Sequence, residues 1–213
     1  MVNNLMKKIS ILKLVSLFGV FAVMFYFLHI LFGTIFYEGY NSFAQAISDL
    51  TSESSPSKNI ARTFSILYGI FSVIFSLVFL FYFKGRINKI VTVALFVYCS
   101  MNIVSFIGYS FFPLSEAGFA GTFQDIMHII VTMIVVIFTI ISLILYGIGF
   151  LRINYYKYIG VVSIFSLILL LTGAMLINIL PGEYFGLAQR INVFTTVIYT
   201  GVLSFWMNRY LYK

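Results

Sequence analysis

Charge is what this sequence lacks most. Only 9% of its 213 residues are charged while 62% are hydrophobic, against roughly 25% charged in an ordinary soluble domain. That shortfall excludes a water-soluble globular domain and predicts an integral membrane protein. Cysteine is nearly absent too: Cys99 is alone and sits inside an apolar run, so no internal disulfide can form and cysteine usage does not report the redox compartment. There is no H-x-x-x-H and no cysteine ligand set, which removes the common zinc patterns. No charged side chain lies near the middle of a long run, where proton relays and coupling-ion sites usually place one, so a proton-driven pump is disfavoured.

What the chain does have is long apolar runs. A hydrocarbon core of about 30 Å takes roughly 20 apolar helical residues to cross, and six runs qualify, at about 11–36, 62–83, 90–112, 126–150, 158–180 and 187–206. Transmembrane barrel strands would be about 10 residues long and would alternate in polarity, which the stretch from Ile126 to Ile141 does not do. The expected fold is therefore all-α, a single six-helix transmembrane domain over residues 1–213. The first run follows Lys7, Lys8 and Lys13 as a signal peptide would, but it continues through bulky residues to Phe36 and is expected to remain as a span.

The few charges are sorted. Lys7, Lys8, Lys13, Lys84, Arg86, Lys89, Arg152, Lys157, Arg209 and Lys213 fall in one set of gaps; Glu38, Asp49, Glu53, Glu116, Asp125 and Glu183 fall at or beside the alternate gaps. By the positive-inside rule both termini are expected in the cytoplasm of a multi-pass plasma-membrane protein, with the acidic gaps outside. The net charge of +7 is then explained by topology and contact with the lipid bilayer, and no nucleic-acid partner is expected. Tyr155, Tyr156, Tyr158, Trp206, Tyr210 and Tyr212 cluster at the cytoplasmic boundary, as an anchoring aromatic belt does.

The outer gaps are longer and more informative. From Tyr37 to Ala61, Phe43, Ile47 and Leu50 recur at i, i+4, i+7, which predicts a short amphipathic outer helix between spans 1 and 2. Ser55-Pro56 reads as a cap and first-position proline, so span 2 would begin about a turn and a half before its apolar run. The other two outer gaps share a pattern: Pro113, Glu116, then Gly121-x-x-Gln124-Asp125, and Pro181, Glu183, then Gly186-x-x-Gln189-Arg190. Two readings stand, a repeated helical hairpin of the kind found in transporters or chance in a skewed composition.

Polar side chains within the runs line up. Ser65, Gly69, Ser72 and Ser76 form a small-residue seam on span 2. Tyr98, Asn102, Ser105 and Tyr109 stripe span 3, while Asp125, His128, Thr132 and Thr139 stripe span 4. The stripes should face each other across a hydrogen-bonded seam or a cavity open to the outside, since unpaired polar groups are costly in hydrocarbon. Asn102 is the most polar group near mid-depth.

Asp125 and His128, three apart on one helical face, are the candidate catalytic pair and, with Asp49, the weak candidate metal ligands; Glu53, Glu116 and Glu183 are further carboxylates in reach. A structural pairing of Asp125 with His128 or an arginine is the blander reading. His29 and His128 lie at depths that leave bis-histidine haem ligation geometrically open. A hydrogen-bonded lone histidine is commoner, and haem is not expected. Arg190 is expected either to pair with Asp125, Glu116 or Asp49, or to bind an anionic headgroup or carboxylate, and Arg62 admits the same two readings.

Ile47-Ser-Asp49-Leu50 followed by Ser55-Pro56, Phe112-Pro113 closing span 3, His128 opening span 4, and Gly186-Leu-Ala-Gln189-Arg190-Ile191 opening span 6 together resemble the prokaryotic membrane family filed as domain of unknown function 998. The resemblance covers nearly the whole chain. It implies a six-helix integral membrane protein and no reaction, and it marks Asp49, His128, Gln189 and Arg190 as positions matching recurrent motifs. The leading expectation is an outward-facing polar pocket for a small or lipid-like ligand, with Asp49, Arg62, Asn102, Asp125, His128, Gln189 and Arg190 as candidate contacts and no cofactor assigned. Two other classes stay open: an interfacial hydrolase or transferase using zinc or another divalent metal on lipid headgroups, and a transporter or channel. Composition does not fix the oligomeric state.

Overall fold

The computed structural model describes residues 10–211, so Lys7, Lys8, Tyr212 and Lys213 lie outside the described residues. Six long helices follow one another: α1 (Ser10–Ile35), α2 (Lys58–Phe83), α3 (Lys89–Phe111), α4 (Phe123–Leu151), α5 (Lys157–Ile179) and α6 (Phe185–Tyr210). Short 3-10 turns lie at Ile47–Thr51, Asn154–Tyr156 and Gly182–Tyr184, and no strand occurs among the described residues. Each helix packs on the next and α1 packs on α6, so the bundle is a closed ring. Short links force the α2–α3, α4–α5 and α5–α6 neighbours, because they leave a helix no room to dock except antiparallel beside its predecessor.

Side-chain caps set two of the starts. Asn88 Oδ1 accepts the Val91 N–H at 2.9 Å to begin α3, and its Nδ2 donates to Gly149 O at 2.7 Å, which ties that start to the end of α4. At α4, Thr122 Oγ1 accepts the Asp125 N–H at 3.2 Å while Asp125 Oδ2 accepts the Thr122 N–H at 3.2 Å, a reciprocal capping box.

Among the described residues, five helices are long and apolar enough to cross a membrane: α1 to α4 and the stretch Asn154–Ile179 that contains α5. The helix α6 is not among them despite its 26 residues. It carries Arg190, Thr195, Thr200 and Ser204, all buried. These groups lower its hydropathy and turn toward the other helices.

The small-residue seam of α2 packs as its spacing predicts. Gly69, Ser72 and Ser76 are buried, and a Cβ added at Gly69 would lie 2.2 Å from the Phe106 ring of α3. Where α1 meets α6, Ser204 enters the helical ladder of α1: its Oγ donates to Ser16 O at 2.6 Å and accepts the Val20 N–H at 3.1 Å. The helix has a turn at Leu17 at that point, as expected where a side chain intercepts an i to i−4 bond.

The aromatic cluster near the Arg152 and Arg209 end is only partly a belt. Tyr155 and Tyr158 are exposed, but Trp206 is 3% exposed. Its ring packs on Phe79, Phe83, Phe150, Tyr156 and Tyr210 with centroids 5.0–6.0 Å apart. Much of this cluster is core, because the ring of helices closes over Trp206.

The segment 36–57 between α1 and α2, hereafter the strap, differs from a plain amphipathic helix. Ile47 and Leu50 are buried as predicted, but Phe43 is 58% exposed and helical structure is confined to the 3-10 turn Ile47–Thr51. Local side chains compete for the backbone: Gln45 Oε1 accepts the Asn41 N–H at 2.7 Å and Asn41 Oδ1 accepts the Phe43 N–H at 3.0 Å. At its far end Ser55 O accepts the Lys58 N–H and Ser55 Oγ accepts the Ser57 N–H, so α2 starts four residues before Arg62, in line with the Ser55-Pro56 signal.

Candidate functional site

The strap lies across one end of the ring and is bonded to three parts of the protein. On α6, Gln189 Oε1 accepts the Ile47 N–H at 2.9 Å and the Leu187 N–H donates to Phe43 O at 3.0 Å. On the loop 112–122, Leu114 O accepts the Glu53 N–H at 2.8 Å. On α1, Leu50 packs over Gly33, where a Cβ would lie 2.9 Å from Leu50 Cδ1. Asp49 is 3% exposed and joins strap to loop: Oδ2 accepts the Ala46 N–H at 3.1 Å and Oδ1 accepts the Gly118 N–H at 3.0 Å.

Arg190 departs from the expected carboxylate pairing. Its Nη1 donates to Gln45 O at 3.0 Å and Gly186 O at 2.9 Å, and its Nη2 donates to Tyr40 Oη at 2.7 Å. Tyr40 Oη donates onward to Ala46 O at 2.8 Å. The guanidinium is 8% exposed, and among the described residues it makes no ion pair. Asp49 is near enough to act on it electrostatically without bonding it.

Asp125 and His128 do not form a hydrogen-bonded pair. The Asp125 carboxylate accepts from Ser115 N at 2.8 Å, Ser115 Oγ at 2.9 and 2.8 Å, Ala120 N at 3.2 Å and Thr122 N at 3.2 Å. It is thereby consumed in shaping the loop. His128 Nδ1 lies 2.8 Å from Phe112 O, and its ring meets Tyr109 with centroids 5.0 Å apart. Tyr109 Oη donates to Thr132 Oγ1 at 3.1 Å, so the α3 and α4 stripes do face each other at this level. Lower down they do not, since Tyr98 Oη donates to Thr200 Oγ1 of α6 at 2.8 Å. Asn102 is buried and donates to Tyr98 O at 2.9 Å within its own helix.

His29 contradicts the expectation of a hydrogen-bonded histidine. It is 4% exposed and stands edge-on to Tyr26 at 5.5 Å, and neither ring nitrogen has a hydrogen-bond partner among the described residues. Nor do Asp49, Asp125 and His128 make a ligand set, for no three His, Cys, Asp or Glu side chains among the described residues are placed to hold a metal ion.

Beneath the strap, polar groups from six elements form a circuit of electrostatic and ring neighbours. Tyr26 of α1 interacts electrostatically with Tyr109 of α3, Arg190 of α6 and Tyr40 of the strap. Tyr109 stacks near His128 of α4, His128 interacts with Asp49, and Asp49 with Arg190. Tyr68 of α2 meets Tyr26 with centroids 4.9 Å apart. Tyr26, His128 and Arg190 are each only 8% exposed. Among the described residues, Tyr26 Oη, His128 Nε2 and Arg190 Nε make no hydrogen bond, but they are not sealed from solvent: the fully buried unpartnered atoms are those of His29, Ser72, Tyr146 and Asn192. An apolar groove of about 390 Å³ lined by Val20, Val23, Ile198, Gly201, Val202 and Phe205 runs along the α1–α6 seam and contains none of these groups.

The sequence model of a family described as a protein of unknown function, DUF998, matches residues 20–206. The chain belongs to the DUF998 family. No curated protein and no solved structure matches it. The DUF998 match runs from α1 to α6 and so takes in the strap and every member of the circuit. Sequence reading found Asp49, His128, Gln189 and Arg190 but not Tyr26, Tyr40 or Tyr68. In a chain with 15 Tyr and 25 Phe, aromatic spacing alone does not separate a site from a core.

Arg62 follows the pairing reading in this DUF998 member. Its Nη2 donates to Glu53 Oε1 at 2.7 Å, Lys58 also bonds Glu53, and Arg62 Nε donates to Thr51 O at 3.2 Å. Lys58 and then Arg62 hold the Glu53 carboxyl below its ordinary value of 4.5. A depressed carboxyl stabilises the fold above its unfolded pKa and loses that contribution as pH falls. Burial instead pushes Asp49 up, with the Gly118 and Ala46 N–H groups opposing, so its contribution has the opposite sense and fades as pH rises. Acidification below about 4.5 is therefore expected to loosen the strap–α2 junction in wild type more than in Glu53→Gln. The difference should be small, about 0–1 kcal/mol for so exposed a pair. Hydrogen exchange at residues 50–58 measured against pH checks it, and identical profiles would remove the assigned role of Glu53.

Proposed function

We propose that this protein binds a small or lipid-like ligand in a polar chamber under the strap, between α1, α3, α4 and α6. The observation that supports this reading is the circuit of Tyr26, Tyr109, His128, Asp49 and Arg190, in which three nearly buried side chains keep polar atoms that make no bond within the protein and are not sealed from solvent. Atoms that water can reach are able to exchange it for the donors and acceptors of a ligand.

The strap end faces away from the cytoplasm in this proposal. Lys84, Arg86, Lys89, Arg152, Lys157 and Arg209 sit at the ends and links opposite the strap, and the positive-inside rule supports reading that face as the cytoplasmic one. Cysteine accessibility at Ser54 and at Asn154 on intact cells would test the orientation; labelling of the second position alone by an impermeant reagent would reverse it.

Native mass spectrometry of the protein released from its membrane in mild detergent tests the binding itself. Wild type is expected to retain a non-covalent molecule that the double variant Tyr26→Phe/His128→Phe retains at least about tenfold less, the loss of one to two hydrogen bonds in a desolvated site. Equal retention, or none in wild type, would end the proposal.

A further inference from the structure

We infer that the ligand carries an oxyanion, a phosphate or carboxylate, which docks on the Nε edge of Arg190; this rests on the ligand-binding reading above. A guanidinium has five N–H donors in a fixed planar fork. In Arg190 three are spent, two from Nη1 on the carbonyls of Gln45 and Gly186 and one from Nη2 on Tyr40. Nε and the second proton of Nη2 make no bond among the described residues. All three partners are neutral, and Tyr40 further contributes its ring face, 5.8 Å from the guanidinium carbon.

A buried cation with only neutral partners is expensive, and pairing it is what offsets the loss of hydration. Asp49, a carboxylate within electrostatic reach, does not do this, because its two oxygens are turned to the N–H groups of Ala46 and Gly118. The neutral cage therefore orients the guanidinium without neutralising it. Two oxygens of a carboxylate or phosphate fit the donors that remain, in the side-on bidentate geometry for which arginine is suited and lysine is not. Tyr26, within electrostatic reach of Arg190, has an unbonded hydroxyl to add a further donor.

The alternative is that Arg190 serves only to fasten the strap. Leu50→Ala separates the two ideas, since it removes the packing of the strap on Gly33 of α1 and leaves Arg190 with all three of its partners. Full-length protein in phosphatidylcholine nanodiscs is titrated in three arms: phosphatidylglycerol replacing phosphatidylcholine, oleate, and inorganic phosphate, with the shift in melting temperature read as affinity. At least one arm is expected to stabilise wild type. Arg190→Gln and Arg190→Lys should weaken that arm roughly tenfold or more, while Leu50→Ala stays within about threefold of wild type, less than the loss of one charged hydrogen bond. Response to phosphatidylglycerol or oleate without phosphate assigns a lipid source, and response to phosphate assigns a free anion.

The inference is overturned if no arm stabilises wild type, if the response survives Arg190→Gln, or if Leu50→Ala loses as much as the arginine variants. A neutral molecule retained in the mass spectrum would overturn the oxyanion alone and leave the ligand-binding proposal standing. Should Arg190→Gln fail to fold, the lysine variant carries the comparison, because it keeps the charge and loses the fork.

Discussion

Replacing Gly186 by valine is expected to lift the strap from α6. A Cβ at this position would lie 2.3 Å from Gln45 O and 2.8 Å from Ser42 O, with Arg190 Nη1 at 2.9 Å. Two of these atoms are backbone oxygens, which cannot swing aside as a side-chain tip can. The glycine is needed here for close approach of two chains. Inserting atoms at a packed contact costs about 1–3 kcal/mol, and the strain falls on the bonds that hold the strap, Leu187 N–H to Phe43 O and Arg190 to Gln45 O. Hydrogen exchange at residues 40–50 should rise by about tenfold or more, the equivalent of 1.4 kcal/mol of local opening, with ligand retention falling alongside. Gly182, where an added Cβ meets nothing within 4 Å, provides the control: Gly182→Ala should change neither. Unaltered exchange in Gly186→Val would mean that the strap is not held by this contact.

The second large effect is expected at Asp125. The side chain is 0% exposed, and its carboxylate accepts from four donor atoms, Ser115 N, Ser115 Oγ, Ala120 N and Thr122 N. Asp125→Ala leaves three backbone N–H groups without their acceptor, among them the Thr122 N–H of the capping box, while the Thr122 Oγ1 cap on the backbone N–H of residue 125 remains. At about 1–3 kcal/mol for each unsatisfied group, the loss is on the order of 3 kcal/mol or more. Asp125→Asn should also be damaging, because one oxygen becomes an NH₂ that faces donors. The loop supplies Gly118 N–H to Asp49 and Leu114 O to Glu53, so its collapse should loosen the strap as well. Thermal unfolding in detergent measures the first effect and exchange at residues 46–53 the second. Glu116 is exposed, and Glu116→Ala should leave both unchanged. A melting temperature for Asp125→Ala within a degree or two of wild type would refute the assignment.

Parts of this arrangement were legible residue by residue. Ser55-Pro56 announced the start of α2, and Asp125 announced a helix entrance, because caps are satisfied by atoms two or three residues away. Leu50 and Ile47 read as inward-facing from their spacing. Arg190 was found, but its partners were not: a search for carboxylates by residue type cannot see the carbonyls of Gln45 and Gly186, since every residue has one. Phe43 was placed on the wrong side because its period matched a helix, while Asn41 and Gln45 tied the same backbone into turns.

The sequence by itself determined that the chain forms apolar membrane helices with cationic links at one end and capped entrances at the other, since hydropathy, charge sorting and capping act over a few residues or a single span. Only the tertiary structure decided that α1 closes on α6, that the strap is bonded across α6 and the 112–122 loop, and that Tyr26, Tyr109, His128, Asp49 and Arg190 come within electrostatic reach of one another. Those facts depend on contacts between residues up to 195 positions apart in sequence, such as Asn208 and Lys13, and on backbone atoms that carry no residue identity. Such partners exist only once the ring has closed.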